Sequence, residues 1–463
     1  MKKYSMKEVE KAVGGVLISG DGSSVVTSVS KDSREAKEGD LFFPIIGETH
    51  DGHNFISQAI DRGCKDFILS SRQWGDKLSK MSGVSAVLVD DTTEALGRLA
   101  EDYLDKMDIR IIGITGSTGK TSTKDLTHFV CASSYETGCT HGNLNNHIGL
   151  PLTILSFAED TQVGILEMGM DKPGEIDYLA KIARPHIALM TNIGISHIEN
   201  IGSREGIFRC KMEITNYFDK GDTLIVSQGE DFFQRSVMEA EVGDQYILQI
   251  CGEGDDCDFL LSEVVSLGEE GIRFTLEHGG SRQEFSLPIP GAHNARNASL
   301  AVAAGVALGI PMKKAAEALA NANLTQGRLA VKKADGITII DDTYNASPDS
   351  MRAAIDLLVS MEGKRKIAVL GDMYELGEET RNFHRQVGEY ARKMGIDCLY
   401  GVGEIAGHIV EGYGLGGKHY LKKSEFIKDG EDRISHGDVI LFKGSRGMAM
   451  EELVMSIIAK RSK

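Results

Sequence analysis

The run Ile111-Ile112-Gly113-Ile114-Thr115-Gly116-Ser117-Thr118-Gly119-Lys120-Thr121 passes from an apolar strand pattern through a glycine-rich turn into a helical pattern. In such a turn Gly116 and Gly119 let backbone N–H groups close round phosphate oxygens, and the helix N-terminus adds its dipole. Lys120 would neutralise charge and the Thr121 hydroxyl can ligate Mg²⁺. Gly116, Ser117, Thr118, Gly119, Lys120, Thr121 and Ser122 are therefore the candidate cradle for a nucleoside triphosphate. The eight-residue phosphate-loop pattern fails at one position, since Ile114 stands where its first glycine belongs. The competing reading, a glycine turn opening an ordinary helix, is the weaker one given the strand-turn-helix order. Glu167 closes the strand pattern VGILEM and His197 follows the strand pattern IALMTNIG. Both should lie on the C-terminal strand edge that carries the phosphate loop, where open parallel sheets place their ligands. A lone histidine there is more often structural, and a lone glutamate is evenly balanced, but the shared edge raises both as metal ligands.

These residues need a scaffold of strands alternating with helices. From Arg110 onward the sequence supplies one: strand RIIGIT, a helix after Lys120, strand VGILEM, a helix from Gly174, strands IALMTNI and TLIVS, then a long alanine-rich helix from Ala292 to Asn323. Such alternation predicts a parallel sheet covered on both faces. Before it, residues 1–106 read as a small mixed α/β unit with helices at Phe55–Arg62 and near Thr93–Lys106. After a second boundary near Gln326 comes another alternating set: TIIDD, a helix from Asp349, KIAVLGD, a helix from Thr380, CLYGVG, a helix, DVILFKGS and a last helix to about Lys460. Ser347 can cap the first of these helices and Pro348 suits its first position. The fold expected is α/β in three domains: 1–106, a central phosphate-loop ATPase at 107–325, and a Rossmann-like unit at 326–463.

Two glycine patterns compete for nucleotide. Gly401-Val402-Gly403-Glu404-Ile405-Ala406 follows a strand and Gly412-Tyr413-Gly414-Leu415-Gly416-Gly417 follows a helix. The first lacks an acid at the end of the next strand to hold a ribose and the second lacks the preceding strand, so both are read as loops. The acidic stretch CGEGDDCD (251–258) reads as a solvated turn.

Composition excludes several classes. At 463 residues the chain is too long for one small binding module, since domains usually run to about 100–200 residues. With 51 basic against 68 acidic residues the net charge is −17, which argues against holding nucleic acid or anionic membrane by bulk charge. Seven cysteines without a CxxC pair suit a reduced, cytoplasmic home. The start MKKYSMKEVEKAV has no apolar core, and no apolar run approaches the ~18 residues of a membrane span, so neither export nor anchoring is expected.

Taken together, TGSTGKTST, THGNLNNHIGLPLT, TNIGISHIENIGS, GAHNARNASLAVAA and NLTQGR resemble the ATP-dependent Mur ligases of peptidoglycan synthesis. Three further stretches, Asp341–Ser350 (DDTYNASPDS), Gly371–Gly377 (GDMYELG) and Phe442–Met448 (FKGSRGM), resemble those members that add D-alanyl-D-alanine to UDP-N-acetylmuramoyl-tripeptide. The DYAHTP-like and DNPR segments of the members that add the third amino acid are absent. The family's shortened phosphate loop accounts for Ile114.

The resemblance implies an amide ligase working through an acyl phosphate, with an N-terminal unit for the UDP moiety and a C-terminal unit that brings the dipeptide and closes on ATP. It implies two Mg²⁺ ions, one at Thr121 and a second at Glu167, His197 and a carbamylated Lys211. A bare lysine cannot ligate a metal, so Lys211 either carries CO₂ or acts as a simple cation. By the same resemblance Asn294 and Asn297 would read adenine, Asp342 would hold the ribose, and Arg328 would reach the γ-phosphate. Ser33 and Arg34 are candidates for the UDP-sugar, Asn143 and Asn146 for the muramoyl side, and Tyr344, Asn345 and Ser347 for the dipeptide. Without the resemblance, capping and interhelical bonding would be the preferred reading of Asn294 and Asn297. A monomer is expected. The alternatives are a polyglutamate-type ligase on the same ATPase core, which the YNASP segment disfavours, and a non-catalytic nucleotide-binding regulator, which intact Lys120, Glu167, His197 and Lys211 disfavour.

Overall fold

The structure, a computed structural model, describes residues 1–461 apart from Glu48, Glu230, Gln326 and Gly327. The boundary expected near Gln326 thus falls outside the described residues. Among the described residues three large sheets organise the chain, beside a two-stranded one that pairs Tyr4–Ser5 with Val25–Val26. The N-terminal sheet runs in the order Val16–Ser19, Ser85–Leu88, Asp66–Leu69, Asp40–Phe42, Ser28–Ser30, parallel except for its first pair. The helix Thr92–Asp105, capped by Asp91, leads from it to the central unit. Tyr103 donates its hydroxyl to the Phe157 carbonyl at 2.8 Å, and one apolar core runs across both units. They are packed together rather than strung on a linker.

The central sheet carries the order Thr137–Cys139, Val163–Glu167, Arg110–Thr115, Ile187–Met190, Thr223–Ser227, Ile247–Gly252 and Phe259–Ser266, all parallel. It does not remain parallel to its edge: Ile272–His278 and Ser281–Leu287 extend it as antiparallel strands. The sequence reading has no element for the four strands between Ile247 and Leu287. Their alternation is broken by a register shift between Ser262 and Val265, where Glu263 adopts φ +53°, and the outer strand SRQEFSL is mostly exposed. The acidic stretch is correspondingly a turn whose first two residues, Cys251 and Gly252, belong to a strand and are buried.

The single alanine-rich helix expected from Ala292 to Asn323 is two helices, His293–Ala307 and Met312–Leu319. Gly309 turns left-handed at φ +85°, and Pro311 has no N–H to continue the ladder. The first of the two packs its small residues on the phosphate-loop helix Lys120–Ala132, so closely that a Cβ on Gly305 would stand 2.5 Å from Val130. Alanine here sets the distance between the two helices.

The C-terminal sheet has the order Ala330–Ala334, Ile337–Asp342, Asp438–Lys443, Arg365–Gly371, Cys398–Val402, Gly417–Tyr420, parallel beyond its first pair. Ser347 caps the helix Pro348–Ser360, with Pro348 at its start as the sequence indicated. Among the described residues no helix is long and apolar enough to cross a membrane.

Candidate active site

The strand Arg110–Thr115 ends at Gly116, where φ is +146° and a Cβ would lie 1.8 Å from Thr191 Oγ1, so only glycine lets the loop close against the next strand end. Gly119, left-handed at φ +78°, starts the helix Lys120–Ala132. The loop is stapled to Asn192: Ser117 N–H donates to its carbonyl (3.1 Å), Thr118 N–H donates to its Oδ1 (3.0 Å), and its Nδ2 donates to Thr118 Oγ1 (2.6 Å). Because Ser117 and Thr118 use their N–H groups there, the anion-facing donors are the first-turn amides of the helix opening at Lys120. Lys120 donates to Gly116 O at 2.6 Å, and burial lowers its pKa against the opposing pull of Glu167.

Glu167 pairs in register with Ile114 on the neighbouring strand, which puts its carboxylate beside the loop. It is buried; Oε2 accepts from Thr121 Oγ1 and Oε1 from Asn145 Nδ2, both at 2.8 Å. Arg328, from the start of the C-terminal unit, donates to Thr121 Oγ1 at 3.0 Å. Thr121 thus joins the two units at the start of the phosphate-loop helix.

Lys211 lies in the helix Arg204–Met212 and is 2 % exposed. Among the described residues no hydrogen bond or ion pair reaches its amine, and burial, then the Lys120 charge, hold its pKa well below the ordinary lysine value. Glu213, two residues on, does not pair with it, for its carboxylate accepts the N–H groups of Gly174 and Asp177, both at 3.0 Å. His197 lines the same cleft as Glu167, but its Nδ1 faces Glu375 Oε2 at 2.7 Å and Asp171 Oδ1 at 3.1 Å.

The cleft of about 590 Å³ between the central and C-terminal units is lined by the phosphate loop, Asn143, Asn145, Asn146, Glu167, His197, Asn297, Arg328, Asp342, Tyr344, Asn345 and Ser347. Lys443, buried, forms an ion pair with Asp342 and donates to Asn345 O at 2.9 Å. Tyr344 lies under Arg328, whose guanidinium carbon is 4.1 Å from the ring centre, with that of Arg446 at 5.9 Å. Asn345 is exposed, and Ser347 accepts Ser350 N–H at 3.4 Å as the helix cap.

Three expected assignments meet a different environment. Asn294 is fully buried, donating to Pro290 O (2.8 Å) and accepting from Asn297 Nδ2 (3.1 Å), so its amide supports Asn297 and does not face the cleft. Asn146 lines the rim but its Oδ1 holds the N–H groups of Ile148 and Gly149 at 3.2 and 2.9 Å. Ser33 donates to Gln58 Oε1 at 2.7 Å, and Arg34, 79 % exposed, pairs with Asp32; neither lines the cleft. The glycine pattern at 401–406 closes on the protein's own carboxylate, since Asp372 Oδ1 accepts from Ile405 N–H (3.0 Å) and Ala406 N–H (2.7 Å). A Cβ on Gly403 would stand 2.4 Å from it. No room is left there for a dinucleotide phosphate. Another crevice of about 510 Å³ opens at the opposite strand edge, between Asp105, Arg110, His186 and Asp222, and holds none of the candidate residues.

Sequence reasoning missed Asn145, Asn192, Glu375 and Lys443 as site residues. Each sits inside a segment already singled out, yet nothing local separates Asn145, bonded to Glu167, from Asn143 and Asn146 beside it.

A phosphate loop on the strand edge of a central α/β sheet, facing a second α/β unit that reaches it through an arginine, defines the class as a nucleotide-using enzyme with its cleft between two units. Comparison with known proteins makes the class specific. Family models match at residues 25–104 (Mur ligase family, catalytic domain), 114–305 (Mur ligase middle domain) and 327–446 (Mur ligase, glutamate ligase domain). The chain is 39% identical to the UDP-N-acetylmuramoyl-tripeptide–D-alanyl-D-alanine ligase of Bacillus subtilis (strain 168) over 99% of each chain. Its structure matches a MurF crystal structure from Acinetobacter baumannii with TM-score 0.90 at 30% identity, covering 99% of both chains. It matches the MurF ligase from Thermotoga maritima in complex with ADP with TM-score 0.82 at 28% identity, covering 94% of this chain and 98% of that one. The chain belongs to the Mur ligase family.

Proposed function

We infer that this chain joins D-alanyl-D-alanine to UDP-N-acetylmuramoyl-tripeptide at the cost of ATP, a step of peptidoglycan precursor synthesis. The observation that carries this reading is the single cleft with the phosphate loop on one wall and the Tyr344–Ser347 segment on the other, in a chain similar to such ligases over its whole length.

In the proposed reaction a tripeptide carboxylate oxygen attacks the γ-phosphorus and the bond to ADP breaks. The free dipeptide amine then attacks the acyl carbon, phosphate leaves, and the amine proton passes to solvent. Lys120 and the first-turn amides hold the phosphates, and Arg328 adds positive charge after closure; charge placed in advance in this way is worth most where water is excluded. Asn297 faces the adenine side, Asp342 the ribose, Asn143 and Asn146 the muramoyl side, and Tyr344 and Asn345 the dipeptide. Ser33 and Arg34 belong to the N-terminal unit proposed for UDP.

The residues present fit Mg²⁺. Glu167 is a buried carboxylate bonded to neutral groups only, next to the Thr121 hydroxyl, and oxygen donors are what this hard cation takes. Thr121 would hold one ion, and Glu167, His197 and a carbamylated Lys211 the other; bound there, they would screen the negative charge of the reacting groups. The buried Lys211 amine supports carbamylation, because a lowered pKa favours the uncharged amine that takes up CO₂. Domains at 1–106, 107–325 and 326–463 are proposed, each with its own sheet. The chain is proposed to act in the cytoplasm as a monomer; all seven cysteines are free, as a reducing compartment requires.

The test is phosphate release. Turnover should require UDP-muramoyl-tripeptide, ATP, Mg²⁺ and D-alanyl-D-alanine together. Better turnover with free lysine, diaminopimelate or glutamate as acceptor would overturn the assignment.

A further inference from the structure

We propose that Glu375 is a positioning residue for His197: the C-terminal unit, closed over the cleft, presents this carboxylate to Nδ1 and so orients the ring whose other nitrogen serves the metal. The inference rests on the metal role proposed above for His197 and extends it to a residue of the opposite unit.

His197 Nδ1 is buried between Glu375 Oε2 at 2.7 Å and Asp171 Oδ1 at 3.1 Å, in ion-pair range of each and aligned as a hydrogen bond to neither. A neutral imidazole that ligates through Nε2 carries its proton on Nδ1, and an acceptor there fixes both tautomer and ring plane. Two carboxylates are what this structure puts there. Asp171 comes from the same unit as His197 and is the more exposed of the two, 65% against 54%. Glu375 is the nearer and arrives from across the cleft.

The approach of Glu375 is built in. His197 and Glu375 are both left-handed, each at φ +63°, a backbone state that non-glycine residues keep only where their surroundings impose it. Around Glu375, Met373 N–H donates to His384 Nε2 and Tyr374 N–H to Ser445 Oγ, both at 2.9 Å, which pins the loop to its own unit. Two residues on, left-handed Gly377 rests against Glu199, where a Cβ would be 3.4 Å from the Glu199 Cβ. Glu199 lies in the short helix Ile198–Ile201 that begins directly after His197. The loop is therefore seated beside His197. With the units apart, Asp171 alone would face Nδ1; closure supplies the second carboxylate. Arrival of the acceptor-bearing unit and completion of the metal site become one event.

The test uses the full-length enzyme with Mn²⁺ in place of Mg²⁺, reading Mn²⁺ affinity in the presence of ADP by electron paramagnetic resonance alongside steady-state kinetics. Loss of a carboxylate behind a metal-ligating histidine typically costs about 10–100-fold in affinity or activity. Glu375→Ala should weaken Mn²⁺ binding and lower kcat to that extent with the dipeptide KM little changed, and Glu375→Gln, which keeps an oxygen acceptor, should recover most of both. In a His197→Gln background Glu375→Ala should add nothing, as for two residues acting through one another. If His197→Gln weakens Mn²⁺ binding and Glu375→Ala does not, the positioning role is overturned while the metal role stands. If His197→Gln leaves Mn²⁺ binding intact, both fall. A raised dipeptide KM with unchanged Mn²⁺ affinity would instead put Glu375 on the acceptor amine and overturn the proposal.

Discussion

The two walls of the cleft are built differently. On the central wall the phosphate loop and Glu167 are fixed by their own unit: Glu167 is held by Thr121 and Asn145, and the loop is bonded to Asn192 at three points. On the C-terminal wall, Asn345 is exposed and Tyr344 is held by ring contacts to Arg328 and Arg446. Phosphoryl transfer needs charge in place before reaction, because reorganising it at the moment of reaction costs rate. An incoming amine needs delivery, which a closing unit provides. The difference suits the two halves of the proposed reaction, with a rigid wall proposed for the phosphates and an adjustable one for the acceptor.

The largest effects should come from breaking the rigid wall. Lys120→Ala should lower kcat by about 10²-fold or more, the usual loss when a prearranged charge-stabilising group is removed. Glu167→Ala should lower it as far but also leave Thr121 and Asn145 without their partner, destabilising the fold by about 1–3 kcal/mol. Glu167→Gln keeps the shape and removes the charge. Phosphate release and thermal melting of all three separate the effects; near-normal turnover in any of them would take that residue out of the rigid wall.

Lys211 sharpens the same side. Lys211→Ala should be nearly inactive, bind ATP normally through Lys120 and the loop amides, and regain part of its activity with acetate, a small carboxylate able to occupy the vacated position. Its lowered pKa means that the amine stays uncharged to lower pH than an exposed lysine, which leaves more of it free to take up CO₂. In the wild-type enzyme ¹³C-labelled bicarbonate should give a carbamate resonance that Lys211→Arg lacks. An active Lys211→Arg enzyme would rule the carbamate out.

The contrast between the walls also explains what could be read from the sequence. The phosphate loop, the strand before it and the helix after it were legible because glycine, lysine and threonine spacing is dictated by backbone geometry at one place. So was the start of the helix at Pro348, where Ser347 and Pro348 each have a local reason. The antiparallel edge at Ile272–His278 and Ser281–Leu287 was not, because a register shift and an exposed outer strand erase the alternation. Nor was the break at Gly309-Ile310-Pro311, which interrupts an otherwise continuous helical pattern. Residues that act across units were the least legible: Glu375 reaches His197 from far along the chain, and no spacing rule connects them. Asn294 shows the reverse, a residue in a suggestive motif whose amide bonds its neighbour Asn297.

The smallest effects should lie on the adjustable wall, where Ser347 and Tyr344 part company. Ser347 accepts Ser350 N–H at the N-terminus of the helix Pro348–Ser360, and loss of such a cap typically costs about 1 kcal/mol. Ser347→Ala should therefore lower the denaturation midpoint of the C-terminal unit while leaving the dipeptide KM near its original value, because Pro348 still starts the helix and Asn345 and Tyr344 still line the cleft. Tyr344→Ala should differ in its KM. It removes the ring between two guanidinium groups, a contact worth about 0.5–2 kcal/mol that stability loses, and should in addition raise the dipeptide KM, which Ser347→Ala does not. Tyr344→Phe, which keeps the ring face and loses only the hydroxyl, should stay close to wild type. Urea denaturation followed beside dipeptide titrations distinguishes the two residues. A KM change in Ser347→Ala at unchanged stability would make the cap hydroxyl an acceptor contact and put a fixed group beside the exposed Asn345 and the ring of Tyr344.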